Sequence, residues 1–222
     1  MFLGILGHDL RNPIGAASMS AELISTLGTL NEKQTKMATQ ITNSTARANQ
    51  IIADLLDLTR AGFGSDLPVI KAPMDMGIVS KELVDEMNVF HFGHEITLEI
   101  EGNPQGEWDK ARIGQILSNL IGNAIQYSFP DTPIKVTVKG KPDEIILSVH
   151  NEGQPIPRDK TETIFDSLTR VTREQSEEQM GSTNLGLGLY ITKKIVVAHG
   201  GTIGVTSTEK GGTTFTAKFP RH

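Results

Sequence analysis

Phe2-Leu3-Gly4-Ile5-Leu6-Gly7-His8-Asp9-Leu10-Arg11-Asn12-Pro13-Ile14 sets one histidine among apolar residues at helical spacing. An acid follows it, an amide stands one turn on, and then comes a proline. Leu3, Leu6, Leu10, Pro13, Ala17, Ser20, Ile24 and Leu27 recur at intervals of three and four. So do Met37, Ile41, Ser44, Ala48, Ile51, Leu55 and Leu58. Each set is a heptad seam, the mark of helices packed side by side. Gly28 suits a C-terminal cap and Asn31 an N-cap. Residues 1–61 therefore read as a hairpin of two helices, each about 40 Å long. Its seams are diluted by Ala and Ser and bury little alone, so two hairpins are expected to pair as a homodimeric four-helix bundle. With Leu3 and Leu6 in the seam, His8 falls on the solvent side. Pro13 deprives the Asp9 carbonyl of its helical donor, which predicts a kink just after His8.

Residues 62–72 are rich in Gly and Pro, aperiodic, and read as a linker. The pattern beyond is mixed. Asp75 would cap a helix to about Phe90, and Asp109 another to about Ser128. Leu187–His199 is helical. Residues 95–101, 134–139, 144–149, 202–207 and 213–219 read as strands. This order gives α+β as the fold class: the helical hairpin, then an α/β sandwich with one helical face over 73–222. The polar stretch 166–184 reads as a lid or a disordered segment.

Composition excludes several classes. No run approaches the roughly 18 apolar residues that span a bilayer, so no membrane contact is expected. There are no cysteines, which removes disulfides, thiolate metal sites and a cysteine nucleophile, and fits a cytoplasmic protein. The net charge is -5. Residues 1–61 hold five basic and five acidic residues, so the whole deficit lies beyond them. An acidic domain is a poor partner for nucleic acid.

Four clusters carry chemistry. In the first, a neutral His8 imidazole would attack a terminal phosphate, with Asp9 accepting its proton and Asn12 one turn on to orient a water. A surface histidine beside a surface acid fits the same residues. In the second, Asn119 and Asn123 project together from one helix that ends near Tyr127, and two amide oxygens suit Mg²⁺. Polar decoration of a helix is the plainer alternative. In the third, Asn151 ends a strand and would accept from the exocyclic amine of adenine, while Gly153 admits the base to the backbone. Alone, this is a turn. In the fourth, Gly186-Leu187-Gly188 opens a helix whose amides suit phosphate, a weak signal by itself. Gly211-Gly212-Thr213 reads as a hairpin entry. His91 and His94 lack a third metal ligand. His199 ends a helix, where a histidine suits the dipole.

In this order the clusters resemble a sensor histidine kinase core over nearly the whole chain. The second part is similar to the ATP-binding domain shared by gyrase, heat-shock chaperones, histidine kinases and mismatch-repair proteins. The resemblance implies that His8 takes the γ-phosphoryl group of ATP. Asp9 then acts as base, and Asn12 positions water for phosphatase activity. It implies Mg²⁺ on Asn119 and Asn123, and nucleotide along Tyr127, Asn151, Gly153, Gly186, Leu187, Gly188 and Thr213. Ile164-Phe165 matches the apolar anchor before the lid. The implied partner is a response-regulator receiver domain, whose aspartate receives the phosphoryl group. With seven residues ahead of His8, the chain reads as the core of a larger sensor.

Three positions depart from the family pattern. Asn151 stands where aspartate is usual, Pro155 replaces a glycine, and Gln126 replaces a basic residue for which Arg170 and Arg173 are substitutes. They motivate an alternative, a nucleotide-poor or phosphatase-biased scaffold of the same fold.

Overall fold

The computed structural model describes residues 2–27, 29–61, 67–90, 94–166 and 187–221. The chain divides into two compact units, Met1–Ser65 and Asp66–His222.

The first unit is the hairpin of α1 (Phe2–Leu27) and α2 (Glu32–Ala61). Pro13 lies inside α1, which continues through it. Asn31 caps α2 as expected, and reciprocally. Its Oδ1 accepts from the Gln34 N–H at 2.9 Å, and the Gln34 Oε1 accepts from the Asn31 N–H at 2.9 Å. Two otherwise orphaned donors are satisfied together, a capping box. Gly28 lies outside the described residues.

The packing stripe differs from the expected seam by one position on both helices. Ala21, Ala38 and Ile52 are buried. Ile14, Ser18, Thr42, Thr45 and Asn49 are half-buried on the same 3-4 spacings. Four large residues of the expected seams stay open, Leu10 at 44% exposed, Ile24 52%, Met37 57% and Ile41 46%, while Ala48 and Ile51 of the α2 seam are half-buried. Small side chains let the two helices approach closely, and Leu10, Ile24, Met37 and Ile41 beside them are left exposed among the described residues.

The second unit is a five-stranded mixed sheet with helices on one face. Its strands are β2 (Ile96–Glu101), β4 (Ile134–Gly140), β5 (Glu144–Asn151), β6 (Thr202–Thr208) and β7 (Gly212–Pro220), in the order β2-β4-β5-β7-β6. Only β2 and β4 run parallel, with a crossover through α4 (Lys110–Tyr127). The other helices are α3 (Met76–Phe90) and α5 (Gly188–Ala198). Alternate residues of β4, β5 and β7 point into the core: Val136, Val138, Ile145, Leu147, Val149, Phe215, Ala217 and Phe219 are buried. The opposite face is polar, with Ser148 beside Thr216 at 3.3 Å and His150 Nδ1 against Thr214 Oγ1 at 2.9 Å. Such a one-sided antiparallel sheet leaves its outer face to water.

α4 starts where the sequence predicts. Asp109 caps it, Oδ1 accepting from Ala111 N–H and Arg112 N–H. Asp75 likewise accepts from Ile78 N–H at the start of α3. Ile113, Ile116, Leu117, Leu120, Ile121 and Ala124 form the buried stripe of α4. This fixes its opposite, polar face toward the site.

A short ribbon was not expected from the pattern. β1 (Ala72–Asp75) pairs antiparallel with β3 (Gln105–Trp108). The segment read as linker therefore ends in structure. Leu67 is buried, Ile70 N–H bonds Asp109 Oδ2 at 2.9 Å, and Ala72 pairs with Trp108. Trp108 is buried over Gly106, where a Cβ would strike its ring, and its Nε1–H donates to the Pro220 carbonyl.

Candidate nucleotide site

α4 carries the centre of the site. Asn119 and Asn123 lie one turn apart on its half-buried face. The Nδ2 of Asn119 donates to the Gly188 carbonyl at 3.2 Å and to Thr192 Oγ1 at 3.4 Å. This pins the first turn of α5 against α4. Gly188 sits so close that a Cβ there would touch the Asn119 amide. With its Nδ2 committed, Asn119 has its Oδ1 lone pairs to offer, and Asn123 supplies a second amide oxygen. Two neutral oxygen donors suit a hard divalent cation that keeps water and phosphate as its other ligands. The residues present fit Mg²⁺.

α5 begins at Gly188, after Leu187 at the cap position, which is buried; among the described residues no side chain caps this start. Its first N–H groups and the positive end of its dipole are what an anion needs. Thr192, fully buried, holds this turn from below and was missed in the sequence reading. Its signal is the 3-4 spacing that puts it on the buried face with Ile191, Ile195 and Val196. Gly186, Arg170 and Arg173 lie outside the described residues. Residues 167–186, which include most of the stretch read as a lid or a disordered segment, lie outside the described residues; just before them Ile164 and Phe165 are buried, with Phe165 edge-on to Phe215 at 6.1 Å.

The other end of the site lies at the C-terminus of α4. Ser128 forms a β-bridge with Gly153, and Phe129 N–H donates to the Glu152 carbonyl at 2.8 Å. Gly153 permits this approach, because a Cβ there would strike the Tyr127 carbonyl. Asn151 is 3% exposed and faces Thr213 across the β5–β7 pair. Thr213 Oγ1 lies 2.6 Å from Ser207 Oγ, which also accepts from Ile156 N–H at 2.9 Å. Gly212 adopts φ +61°, and a Cβ there would meet the Asn151 carbonyl. Asn151, Gly153, Tyr127 and Thr213 are thus brought together. Asn123 and Asn119 lie one and two turns back along α4. The row from Tyr127 to Asn119 is about 12 Å long at 1.5 Å per residue.

The histidines set aside as metal ligands are structural where described. His94 Nδ1 bonds the Thr132 carbonyl at 3.0 Å, and His91 lies outside the described residues. Among the described residues no group of three His, Asp or Glu side chains could hold a metal. His199 ends α5 as expected, but it is fully buried rather than a charged surface cap. Its Nε2 accepts from Asp109 N–H at 3.0 Å, so Nδ1 carries the proton and donates to the Ile195 carbonyl at 2.8 Å. Burial holds its pKa below the usual histidine range. In the hairpin Asn12 is exposed on α1, and the side chains of His8 and Asp9 lie outside the described residues.

An amide pair on a core helix, set against an uncapped helix start at one end of a mixed sheet, defines an α/β sandwich of the nucleotide-binding class. Comparison with known proteins agrees. Residues 108–222 match the family model described as histidine kinase-, DNA gyrase B- and HSP90-like ATPase. Residues 1–64 match the His Kinase A (phospho-acceptor) domain. The chain belongs to the histidine kinase-, DNA gyrase B- and HSP90-like ATPase family, and its two domains together are those of a sensor histidine kinase catalytic core.

Among its relatives, a bacteriophytochrome of Pseudomonas aeruginosa is 32% identical over 91% of this chain and 27% of its own length. The probable sensor histidine kinase TcrY of Mycobacterium tuberculosis is 30% identical over 99% of this chain and 45% of its own. The chain thus spans less than half the length of these two relatives. The crystal structure of full-length ShkA in complex with AMPPNP shares the fold, with a TM-score of 0.70 at 24% identity, over 98% of this chain and 45% of that one. Among the described residues no helix is long and apolar enough to cross a membrane.

Proposed function

We propose that the chain is the catalytic core of an ATP-dependent protein-histidine kinase that phosphorylates its own His8 and passes the group to an aspartate of a response-regulator receiver domain. What carries this reading is the pairing, in one chain, of a phospho-acceptor domain match around His8 with the Asn119–Gly188–Thr192 arrangement in an ATPase-family domain. The relatives named as sensor kinases give the scaffold alternative no support.

In the reaction, a neutral His8 ring nitrogen forms a bond to the γ-phosphorus of ATP. The bond from that phosphorus to the β–γ bridging oxygen breaks, and ADP leaves. The proton on the other ring nitrogen passes to Asp9. Asn12, exposed on α1 one turn from His8, orients water when phospho-His8 is hydrolysed. Asn119 and Asn123 hold Mg²⁺ through their amide oxygens. The ion, when bound, offsets the phosphate charge that builds up during transfer. The uncapped start of α5 receives phosphate oxygens, and Gly188 keeps that approach open. The open stripe of Leu10, Ile24, Met37 and Ile41 pairs two hairpins as a homodimer.

Incubation with γ-labelled ATP and Mg²⁺ tests the reading. The wild-type chain takes up acid-labile, base-stable label, and His8→Ala takes up none. Equal, acid-stable labelling of both proteins would sink it.

A further inference from the structure

We propose that Asn151 makes the nucleotide site permissive at the purine 6-position, so that it accepts a 6-oxopurine triphosphate as well as ATP. This rests on the nucleotide reading above and specifies its substrate class. Asn151 is the last residue of β5, held between Ile134 and Thr213 by the strand register. Its backbone has no room to shift, because Gly212 closes on its carbonyl. The side chain is 3% exposed, yet its carboxamide makes no hydrogen bond among the described residues. The amide atoms keep some solvent access, since the one sealed, unpaired side-chain polar atom among those residues is Asn49 Oδ1 in the hairpin. Its Nδ2 lies 3.1 Å from where a Cβ of residue 153 would stand, so the glycine leaves the amide uncovered.

A carboxylate at this position would only accept hydrogen bonds. A carboxamide carries an acceptor, Oδ1, and a donor, Nδ2, of nearly the same size. Adenine presents an amine at its 6-position and needs an acceptor. Hypoxanthine presents a carbonyl there and needs a donor. Half a turn about the last side-chain bond of Asn151 exchanges the two, and no described hydrogen bond opposes that rotation. Thr213 Oγ1 is engaged by Ser207 Oγ, which also accepts from Ile156 N–H. Asn151 thus offers either polarity to the base.

The test uses the intact chain with Mg²⁺, measuring displacement of a labelled ATP analogue by ATP and by ITP. The wild type is expected to bind the two within about tenfold of each other. In Asn151→Asp the ITP carbonyl meets a buried acceptor, and preference for ATP rises by about 30- to 100-fold. In Asn151→Leu both nucleotides weaken together and their ratio stays near that of the wild type. Because the readout is a ratio, a general loss of fold does not mimic it. Binding of ATP with ITP refused by more than about a hundredfold overturns this inference alone. An unchanged ratio in Asn151→Asp does the same, and binding of neither nucleotide at millimolar concentration overturns the nucleotide reading with it.

Discussion

His199 joins three parts of the second unit at a single ring. Through Nδ1 it closes the end of α5, and through Nε2 it takes the N–H of Asp109. Asp109 in turn caps α4 and holds the Ile70 N–H. All of this requires a neutral ring, because a proton on Nε2 would face the Asp109 N–H donor to donor. Burial is the largest influence lowering the His199 pKa; Lys71 and Arg112 lower it further, while the Ile195 carbonyl and Asp109 act in the opposite sense. The sign of the consequence follows. Above the unfolded value of about 6.5 the ring is neutral in both states and stability is unaffected. Below it the unfolded chain takes up a proton that the folded one resists, so stability is lost as pH falls from about 6.5. Trp108, the sole tryptophan, lies in this unit and reports its unfolding by fluorescence. Urea midpoints are expected to drop between pH 7.5 and 5.5, and His199→Gln to flatten that slope while lowering the midpoint at pH 7.5. An equal slope in both proteins would remove His199 from the account.

At the scale of elements, the helices of the hairpin carry two parallel stripes one residue apart. Both obey the 3-4 spacing, so periodicity alone does not choose between them. Side-chain size predicts the bulkier stripe, Leu10, Ile24, Met37 and Ile41. The hairpin instead closes on Ala21, Ala38 and Ile52, where small residues bring the backbones together. Ile24→Glu with Ile41→Glu should therefore leave each hairpin helical and abolish its pairing, since each buried isoleucine contributes about 1.5–3 kcal/mol. Sedimentation velocity should give a dimer for the wild type and a monomer for the double variant; two monomers, or two dimers, would refute the assignment of this stripe. The longer elements were legible because their caps and periods agree: Asn31, Asp75 and Asp109 each cap the helix they were expected to start. β1 and β3 were not, because four residues hold too little of an alternating pattern to register. Of the site, the amides and glycines were legible as types at fixed offsets. Thr192 and Ser207 were not, because each acquires its role from a strand or helix distant in sequence.

At the scale of the whole second unit, Arg221 is the clearest example of a role invisible in sequence. It is buried with no carboxylate partner among the described residues, and its guanidinium donates to the carbonyls of Lys141 (2.6 Å), Asn103 (2.6 Å) and Gln105. Its own backbone meets Glu107 and Asp143. One side chain thus joins the β1–β3 ribbon to the β4–β5 turn. Arg221→Ala leaves three carbonyls short of a donor and should cost about 2–4 kcal/mol. Arg221→Lys should restore little, since one ammonium lacks the planar fork that spans separate acceptors. Thermal unfolding followed at Trp108 would reveal both effects, and a lysine variant as stable as the wild type would contradict the three-carbonyl account.

The bridge between Ser128 and Gly153 fastens the end of α4 to the end of β5, so the helix turns from Tyr127 back to Asn119 are anchored to the sheet at one end. Tyr127 and Asn119 lie about 12 Å apart along α4, beyond the distance within which substitutions usually couple. On the proposed reading, recognition of the base and handling of the phosphates are expected to be thermodynamically separate. Changes at Tyr127 and at Asn119 are then expected to combine as a simple sum.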